Sequence, residues 1–282
     1  MDKNNNQELL DYEEFKQLLQ LKIKTGDEFY VELLKTVIDN PNRYCGLFRL
    51  SNAKTKLIQN VTQSNEIKFG DFMEELITTY LSKLDYITLQ KDLGFDENGD
   101  RLNVDQIFIK DNVLYMVEQK IRDDHDSTKK RGQFQNFYKK ISLLRKRYPQ
   151  YHLVAIMWFI DDSLVKNKNY YSAEIERTKN DFANTNLHLY YGKDFFENLP
   201  NSENTWEEIL KYLKKLRMEN SSEIFSIPDF SNSPEIYKAL LELPSRYWKK
   251  LISNDEKYLL LKNELFSSGE NLQKAILMRG GN

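Results

Sequence analysis

The chain has 282 residues, of which 40% are hydrophobic and 30% charged, and its formal net charge is -2. These values are ordinary for a globular protein and exclude a uniformly basic nucleic-acid-binding chain, so any basic surface must be local. The single cysteine, Cys45, excludes an internal disulfide and fits a reducing, cytoplasmic compartment.

Several classes of protein have no signal in the sequence. The first 15 residues lack the apolar core of a signal peptide, and no window approaches the roughly 18 apolar residues of a membrane span. There is neither a Gly-rich phosphate-binding loop nor a Cys/His zinc spacing. We therefore expect a cytoplasmic protein with no membrane partner and no nucleotide cofactor.

The beginning of the chain is predicted to be helical. Over residues 7–40, apolar residues recur at helical spacing before and after Gly26-Asp27, and Asn40-Pro41 is a helix stop. Residues 42–65 have a mixed pattern, which we interpret as a short helix and a loop. Residues 1–65 are therefore expected to form an N-terminal helical segment.

A longer helix is predicted from Phe69, over the stretch FGDFMEELITTYLSKL. Glu74 lies at the flank of its apolar face, whereas Glu75 points away from it. The apolar face consists of Phe72, Met73, Leu76, Ile77, Tyr80 and Leu84. Residues 86–89 follow as a strand, and an Asn-Gly pair within residues 96–100 marks a turn.

The stretch VDQIFIKDNVLYMVEQK predicts a central hairpin. Residues 104–109 and 113–117 are rich in β-branched and aromatic side chains, and they flank Asp111-Asn112. Asp and Asn tolerate the positive φ that a two-residue hairpin turn requires.

This hairpin gathers two carboxylates and an ammonium group on one face of a sheet. With a two-residue loop, Lys110 pairs with Val113. Counting back places Asp105 opposite Glu118, with Cβ atoms about 5 Å apart. The strand period of two places Lys120 on the same face as Glu118. Two carboxylates this close attract a divalent cation or a proton, and hard oxygen ligands with room for water suit Mg²⁺.

At these residues the chain resembles the PD-(D/E)XK nucleases, and within this superfamily it looks most like a type II restriction endonuclease. The motif of the superfamily is an Asp at the end of one strand, then an acidic residue, any residue and Lys on the next strand. Here it consists of Asp105 and Glu118-Gln119-Lys120. Val104 stands where other members often have Pro.

The resemblance covers about residues 66–160 and implies an α/β fold. Its restriction-endonuclease-like core has the order αβββαβ around a mixed central sheet, and we place this core at residues 66–200. The resemblance also implies an activity, the Mg²⁺-dependent and site-specific hydrolysis of phosphodiester bonds in double-stranded DNA, which leaves 5′-phosphates.

The resemblance assigns roles to the residues of the hairpin. Asp105 and Glu118 would hold the metal, together with the backbone carbonyl of Gln119. Lys120 would orient the attacking water. Many restriction enzymes place a further Glu from the first helix at the metal site, and Glu74 is the candidate for that third carboxylate.

Residues 120–147 carry ten Lys or Arg and three Asp. Their first part is polar and contains Gly132, so we expect a loop that leads into a helix. The helix has an apolar stripe and an opposite, basic face. The stripe consists of Phe134, Phe137, Ile141 and Leu144, and the basic face of Lys139, Lys140 and Lys146.

This basic segment is expected to contact DNA, because a duplex held for cleavage has phosphates beside the metal site. In the family, the helix after the Glu-x-Lys strand lies close to DNA. His125, between two aspartates, is either a metal ligand or general base or, more often for such a residue, part of the surface. The candidate DNA-binding residues are Lys129, Lys130, Arg131, Gln133 and Asn136.

The remaining elements complete the prediction. A buried strand is predicted over residues 151–160, and a further strand with a short helix over residues 187–196. Residues 205–217 predict an amphipathic helix, and further helices follow Ser233, which is an N-cap. Residues 201–282 are expected to form a C-terminal helical segment that packs on the core as one domain.

Two other functions stay open from the sequence. One is a repair or junction-resolving nuclease on the same core, and the other is a noncatalytic DNA-binding protein. The intact Asp105, Glu118 and Lys120 favour an enzyme over the latter. Since one site cuts one strand at a time, we also expect a homodimer that presents one site to each strand of a palindromic target.

Overall fold

The computed structural model describes residues 8–24, 26–122, 126–219 and 228–280. The chain divides into two compact units, each assembled from two stretches. The first, which we call the sheet unit, comprises the residues up to Leu18 and Gly70–Leu216. The second, which we call the helical unit, comprises Leu19–Phe69 and the residues from Arg217 onward.

Helices and strands alternate through the middle of the chain, and helices precede and follow them. The strands are β1 (Ile87–Thr88), β2 (Asp92–Phe95), β3 (Arg101–Asn103), β4 (Gln106–Lys110), β5 (Val113–Lys120), β6 (His152–Phe159) and β7 (Thr185–Tyr191). The helices are α1 (Tyr12–Lys22), α2 (Gly26–Asp39), α3 (Pro41–Cys45), α4 (Ala53–Lys83), α5 (Ser127–Arg147), α6 (Lys168–Thr178), α7 (Asp194–Glu197), α8 (Thr205–Glu219), α9 (Pro234–Glu242), α10 (Ser245–Ile252), α11 (Glu256–Leu265) and α12 (Asn271–Arg279).

The sheet unit is built on a mixed five-stranded sheet with the order β1-β4-β5-β6-β7. Strand β4 pairs antiparallel with β1 and β5, whereas β5, β6 and β7 run parallel. Strands β2 and β3 form a separate hairpin. The α/β prediction is confirmed, and the αβββαβ order is present as α4, β1, β4, β5, α5 and β6.

The central hairpin has the register that its turn predicts. Lys110 pairs with Val113, and the pairing continues to Gln106 opposite Val117. The turn residues Asp111 and Asn112 have φ angles of 48° and 63°. Since the first ladder residue of β4 is Gln106, the preceding residue, Asp105, lies at the mouth of the hairpin.

Alternating side chains of the sheet enter two different cores. Leu114 and Met116 of β5 share a core with Phe137 and Ile141 of α5. On the other face, Tyr115 stacks against Phe108 with ring centroids 5.0 Å apart. Because both faces are covered, β6 is buried along most of its length, as its continuous apolar sequence predicts.

Two helix boundaries differ from the sequence prediction. Helix α4 begins at Ala53 and not near Phe69, and its first residue is fixed by a hydrogen bond from the Ala53 amide to Glu264 Oε2, at 2.6 Å. Helix α5 begins at Ser127, so Gly132 lies inside a helix and not in a loop. Asp126 caps it by accepting hydrogen bonds from the amides of Thr128 and Lys129, which offsets the cost of the glycine.

The helical unit has its own core, to which both ends of the chain contribute. The N-terminal and C-terminal helical segments expected from the sequence thus share one set of buried side chains. Ser233 caps α9 as predicted, with its hydroxyl accepting from the Ile236 amide at 3.3 Å. None of the helices in the described ranges combines the length and apolar character that a membrane-spanning helix needs.

Glu208 of α8 ties the N-terminal residues of the sheet unit in place. Its two carboxylate oxygens accept hydrogen bonds from the amides of Leu9 and Leu10, at 3.0 and 2.9 Å. The hydroxyl of Tyr80 donates to the same carboxylate at 2.9 Å. One side chain therefore satisfies three donors from two distant parts of the chain.

We predict that Glu208→Ala destabilises the protein by about 1–3 kcal/mol, because the three donors lose their acceptor. The measurement is urea unfolding of both proteins. The control is Glu207→Ala, since Glu207 is the exposed neighbour on the same helix. Equal stability of the two variants would contradict the role given to Glu208.

Candidate active site

The candidate active site lies where strand β5 ends. Strands β5, β6 and β7 are parallel, so their carboxyl ends meet at one edge of the sheet. Glu118 and Lys120 are two residues apart at the end of β5 and lie on the face that Leu114 and Met116 turn toward α5.

The structure brings the three predicted residues together. Lys120 Nζ lies 3.2 Å from Glu118 Oε2 and 3.8 Å from Asp105 Oδ2. The backbone amide of Gln119 donates a hydrogen bond to Asp105 Oδ2 at 2.6 Å. The hairpin register therefore produces a compact charged centre in which one ammonium group lies between two carboxylates.

Lys140 of α5 also belongs to this centre, and the prediction that it lies on an exposed basic face was wrong. Its side chain is buried, and Nζ lies 2.5 Å from Glu118 Oε1. Helical spacing could have indicated this position, because Lys140 follows the buried Phe137 by three residues and precedes the buried Leu144 by four. We assigned Lys140 to the basic face because of its charge, although its spacing matches that of the apolar stripe.

Burial and mutual repulsion shape the protonation of the centre. Burial and the neighbouring Glu118 raise the pKa of Asp105. Burial alone would lower the pKa of Lys120, but the carboxylates of Glu118 and Asp105 together outweigh it and raise that pKa. The neighbouring carboxylates therefore favour the charged form of Lys120.

Glu74 approaches the centre from α4. Its Oε2 lies 3.4 Å from Lys91 Nζ. Burial and the charge of Asp105 raise the pKa of Glu74 to about 7.

A polar network on the opposite face of the hairpin positions the backbone of Glu74. Gln106 Nε2 donates to the Glu74 carbonyl at 2.7 Å and to Gln119 Oε1 at 2.8 Å. Thr78 Oγ1 donates to Gln106 Oε1 at 2.9 Å. We did not identify Gln106 from the sequence. The sign that could have indicated it is a polar residue at a position where the strand is buried.

Comparison with known proteins assigns the chain to a family. A model of the HinfI type II restriction endonuclease family matches residues 11–99 and 86–217, two overlapping stretches that together span most of the chain. The chain belongs to the HinfI family of type II restriction endonucleases. No curated protein gives a significant match. Every residue of the charged centre of this restriction endonuclease lies inside the matched region.

The donor set of the restriction endonuclease fits a divalent cation. The two carboxylates supply the hard oxygen ligands that a divalent cation prefers, and both lie within 3.8 Å of Lys120 Nζ. Among the residues that the structure describes, no three Asp, Glu, His or Cys side chains lie close enough together to hold a metal ion. The central pair is therefore Asp105 and Glu118, and Glu74 does not complete a three-carboxylate cluster in this arrangement.

The candidate DNA-binding residues lie on the first turns of α5, close after the end of β5. Lys129, Arg131 and Asn136 are exposed. Lys130 Nζ lies 4.8 Å from the ring centroid of Tyr170, and Gln133 Oε1 accepts a hydrogen bond from Tyr171 at 2.9 Å. His125 lies outside the described residues.

Proposed function

We propose that this restriction endonuclease uses Mg²⁺ to hydrolyse phosphodiester bonds in double-stranded DNA at a specific sequence, and that it leaves 5′-phosphates. The single observation that carries the proposal is the position of Lys120, whose ammonium group lies between the carboxylates of Asp105 and Glu118. This arrangement combines a cation site with a donor for a phosphate or a water in one place.

In this proposal Asp105 and Glu118 would hold the metal, and the Gln119 carbonyl would add a ligand. When bound, Mg²⁺ stabilises the negative charge that builds on the phosphate and the leaving oxygen. Lys120 orients the attacking water by donating a hydrogen bond to its oxygen. The register of the hairpin places Asp105 at its mouth, beside Glu118 and Lys120 at the end of β5.

The first test concerns the catalytic residues. We predict that Asp105→Asn, Glu118→Gln and Lys120→Met each reduce Mg²⁺-dependent DNA cleavage at least about 100-fold, because each removes a charge that acts on the transition state. The measurement is the rate at which a supercoiled plasmid becomes linear in Mg²⁺. The matched control is Asp111→Asn, which changes one carboxylate at the far end of the same hairpin and keeps a residue that tolerates positive φ.

Wild-type cleavage by any of the three variants would overturn the roles given to these residues. The products also separate the alternatives. Discrete fragments of a mapped linear duplex support a site-specific enzyme, whereas selective cutting of branched DNA supports a junction-resolving or repair nuclease. Binding of DNA with no cleavage by the wild type would support the noncatalytic alternative.

The first turns of α5 are proposed to contact the DNA backbone and bases. Lys129, Lys130 and Arg131 supply positive charge for phosphates, and Gln133 and Asn136 carry amides suited to base edges. The support for this is position, since α5 starts close after the end of β5, at the edge of the sheet where the charged centre lies.

We predict that the triple variant with Lys129, Lys130 and Arg131 changed to Met binds DNA more weakly and with a shallower dependence on salt. The slope of log affinity against log salt should fall by about 0.9 for each phosphate that the variant no longer neutralises. Fluorescence anisotropy with a labelled duplex, without Mg²⁺, measures the slope. Lys179→Met is the control, because Lys179 follows α6 and precedes β7, away from the carboxyl ends of the strands. An unchanged slope in the triple variant would place these residues in solvent.

We also propose that the enzyme acts as a homodimer, with helices of the C-terminal segment at or near the interface. The reason is chemical, since one charged centre cuts one strand at a time and a palindromic site offers two equivalent strands. Sedimentation of the protein on a duplex with its target site, in Ca²⁺ to prevent cutting, should give two 33.6 kDa chains per duplex. One chain per duplex together with cleavage of both strands would refute the dimer.

A further inference from the structure

We propose that Lys140 is a positioning residue for the reaction: it holds the Glu118 carboxylate by Oε1 and thereby keeps Oε2 on the side of Lys120 and Asp105. The inference rests on the proposed function, because it concerns a carboxylate that we assign to the metal. It adds a residue from α5, outside the hairpin and outside the motif that the hairpin carries.

Packing alone does not account for a lysine at this position. Lys140 lies on the apolar face of α5 with Phe137, Ile141 and Leu144, all buried in the core beneath the sheet. Its side chain is 6% exposed and that of Glu118 is 7% exposed. Moving two charges out of water is costly, and an apolar side chain of similar size is often as stable or more stable at such a site. The buried pair therefore points to a role at the centre.

The two carboxylates are held in different ways. Asp105 accepts a hydrogen bond from the Gln119 amide, so it is held by the backbone of the hairpin itself. Glu118 Oε1 is instead held by the Lys140 side chain at 2.5 Å, while Oε2 lies 3.2 Å from Lys120. Without Lys140, the Glu118 carboxylate would keep its contact with Lys120 at Oε2 and lose the contact that holds Oε1.

Lys140 also sets the charge of the centre before a metal binds. Asp105 and Glu118 contribute two negative charges, and Lys120 and Lys140 contribute two positive charges. Removing Lys140 therefore has two effects of opposite sign. The centre becomes more negative and attracts a cation more strongly, while the carboxylate that must direct this cation loses its orientation.

The test compares Lys140→Met with Lys139→Met, the same change at the next residue of α5. Lys139 points to the β2–β3 turn, where its Nζ lies 2.7 Å from Asp96 Oδ2, and it is 41% exposed. We expect Lys140→Met to bind Mn²⁺ several-fold more tightly, as followed by calorimetry without DNA, and to cleave DNA about 10–100-fold more slowly at saturating Mg²⁺. Lys139→Met should keep the wild-type cation affinity, and Lys140→Arg should recover part of the rate.

Damage to folding alone predicts a different pattern, since it lowers cation affinity and cleavage together. Urea unfolding in EDTA provides a second measurement that needs no activity. We expect the unfolding midpoint to fall more when Lys140→Met is made in the wild type than when it is made in Glu118→Gln, because the second background lacks the charge that Lys140 offsets.

The inference and the proposed function fail in different ways. A wild-type protein that binds no Mn²⁺ and cuts no DNA in Mg²⁺ overturns the proposed function, while the unfolding comparison still reports whether Lys140 holds Glu118. Wild-type cation affinity and cleavage rate in Lys140→Met, or an equal fall of the midpoint in both backgrounds, overturns the inference while the nuclease assignment stands.

Discussion

The burial of the Glu118 charge is the constraint on which the site depends. A carboxylate at the covered end of a strand is stable only with compensating charge, and Lys120 and Lys140 supply it from the same strand and from α5. Removing the Glu118 carboxylate would leave Lys140 buried beside a neutral side chain.

The hairpin could be predicted from sequence because its determinants are local. The turn residues Asp111 and Asn112 fix the register, and the register places Asp105 at the mouth opposite the end of β5. Lys140 could not be found in this way. Its partner is 22 residues away in the chain, and only the packing of α5 on the sheet brings the two together.

The helix boundaries show the same division between local and distant causes. The end of α2 at Asp39 follows from the Asn40-Pro41 stop, which acts locally. At the start of α4 a local cap, Asn52, accepts from the Thr55 amide, and the distant Glu264 accepts from the Ala53 amide across 211 residues of sequence. The common core of the two chain ends also depends on contacts between distant parts of the chain. Composition and periodicity within either end alone could not indicate it.

Helix α5 carries both the residues that we assign to DNA binding and Lys140 of the charged centre. Its first turns carry the basic residues that we assign to DNA, and Lys140 lies ten residues after Lys130, about 15 Å along the same helix. Phe137 and Ile141 anchor the intervening turns in the core. Because these turns are packed in the core, α5 holds the basic residues of its first turns at a fixed distance from the contact between Lys140 and Glu118.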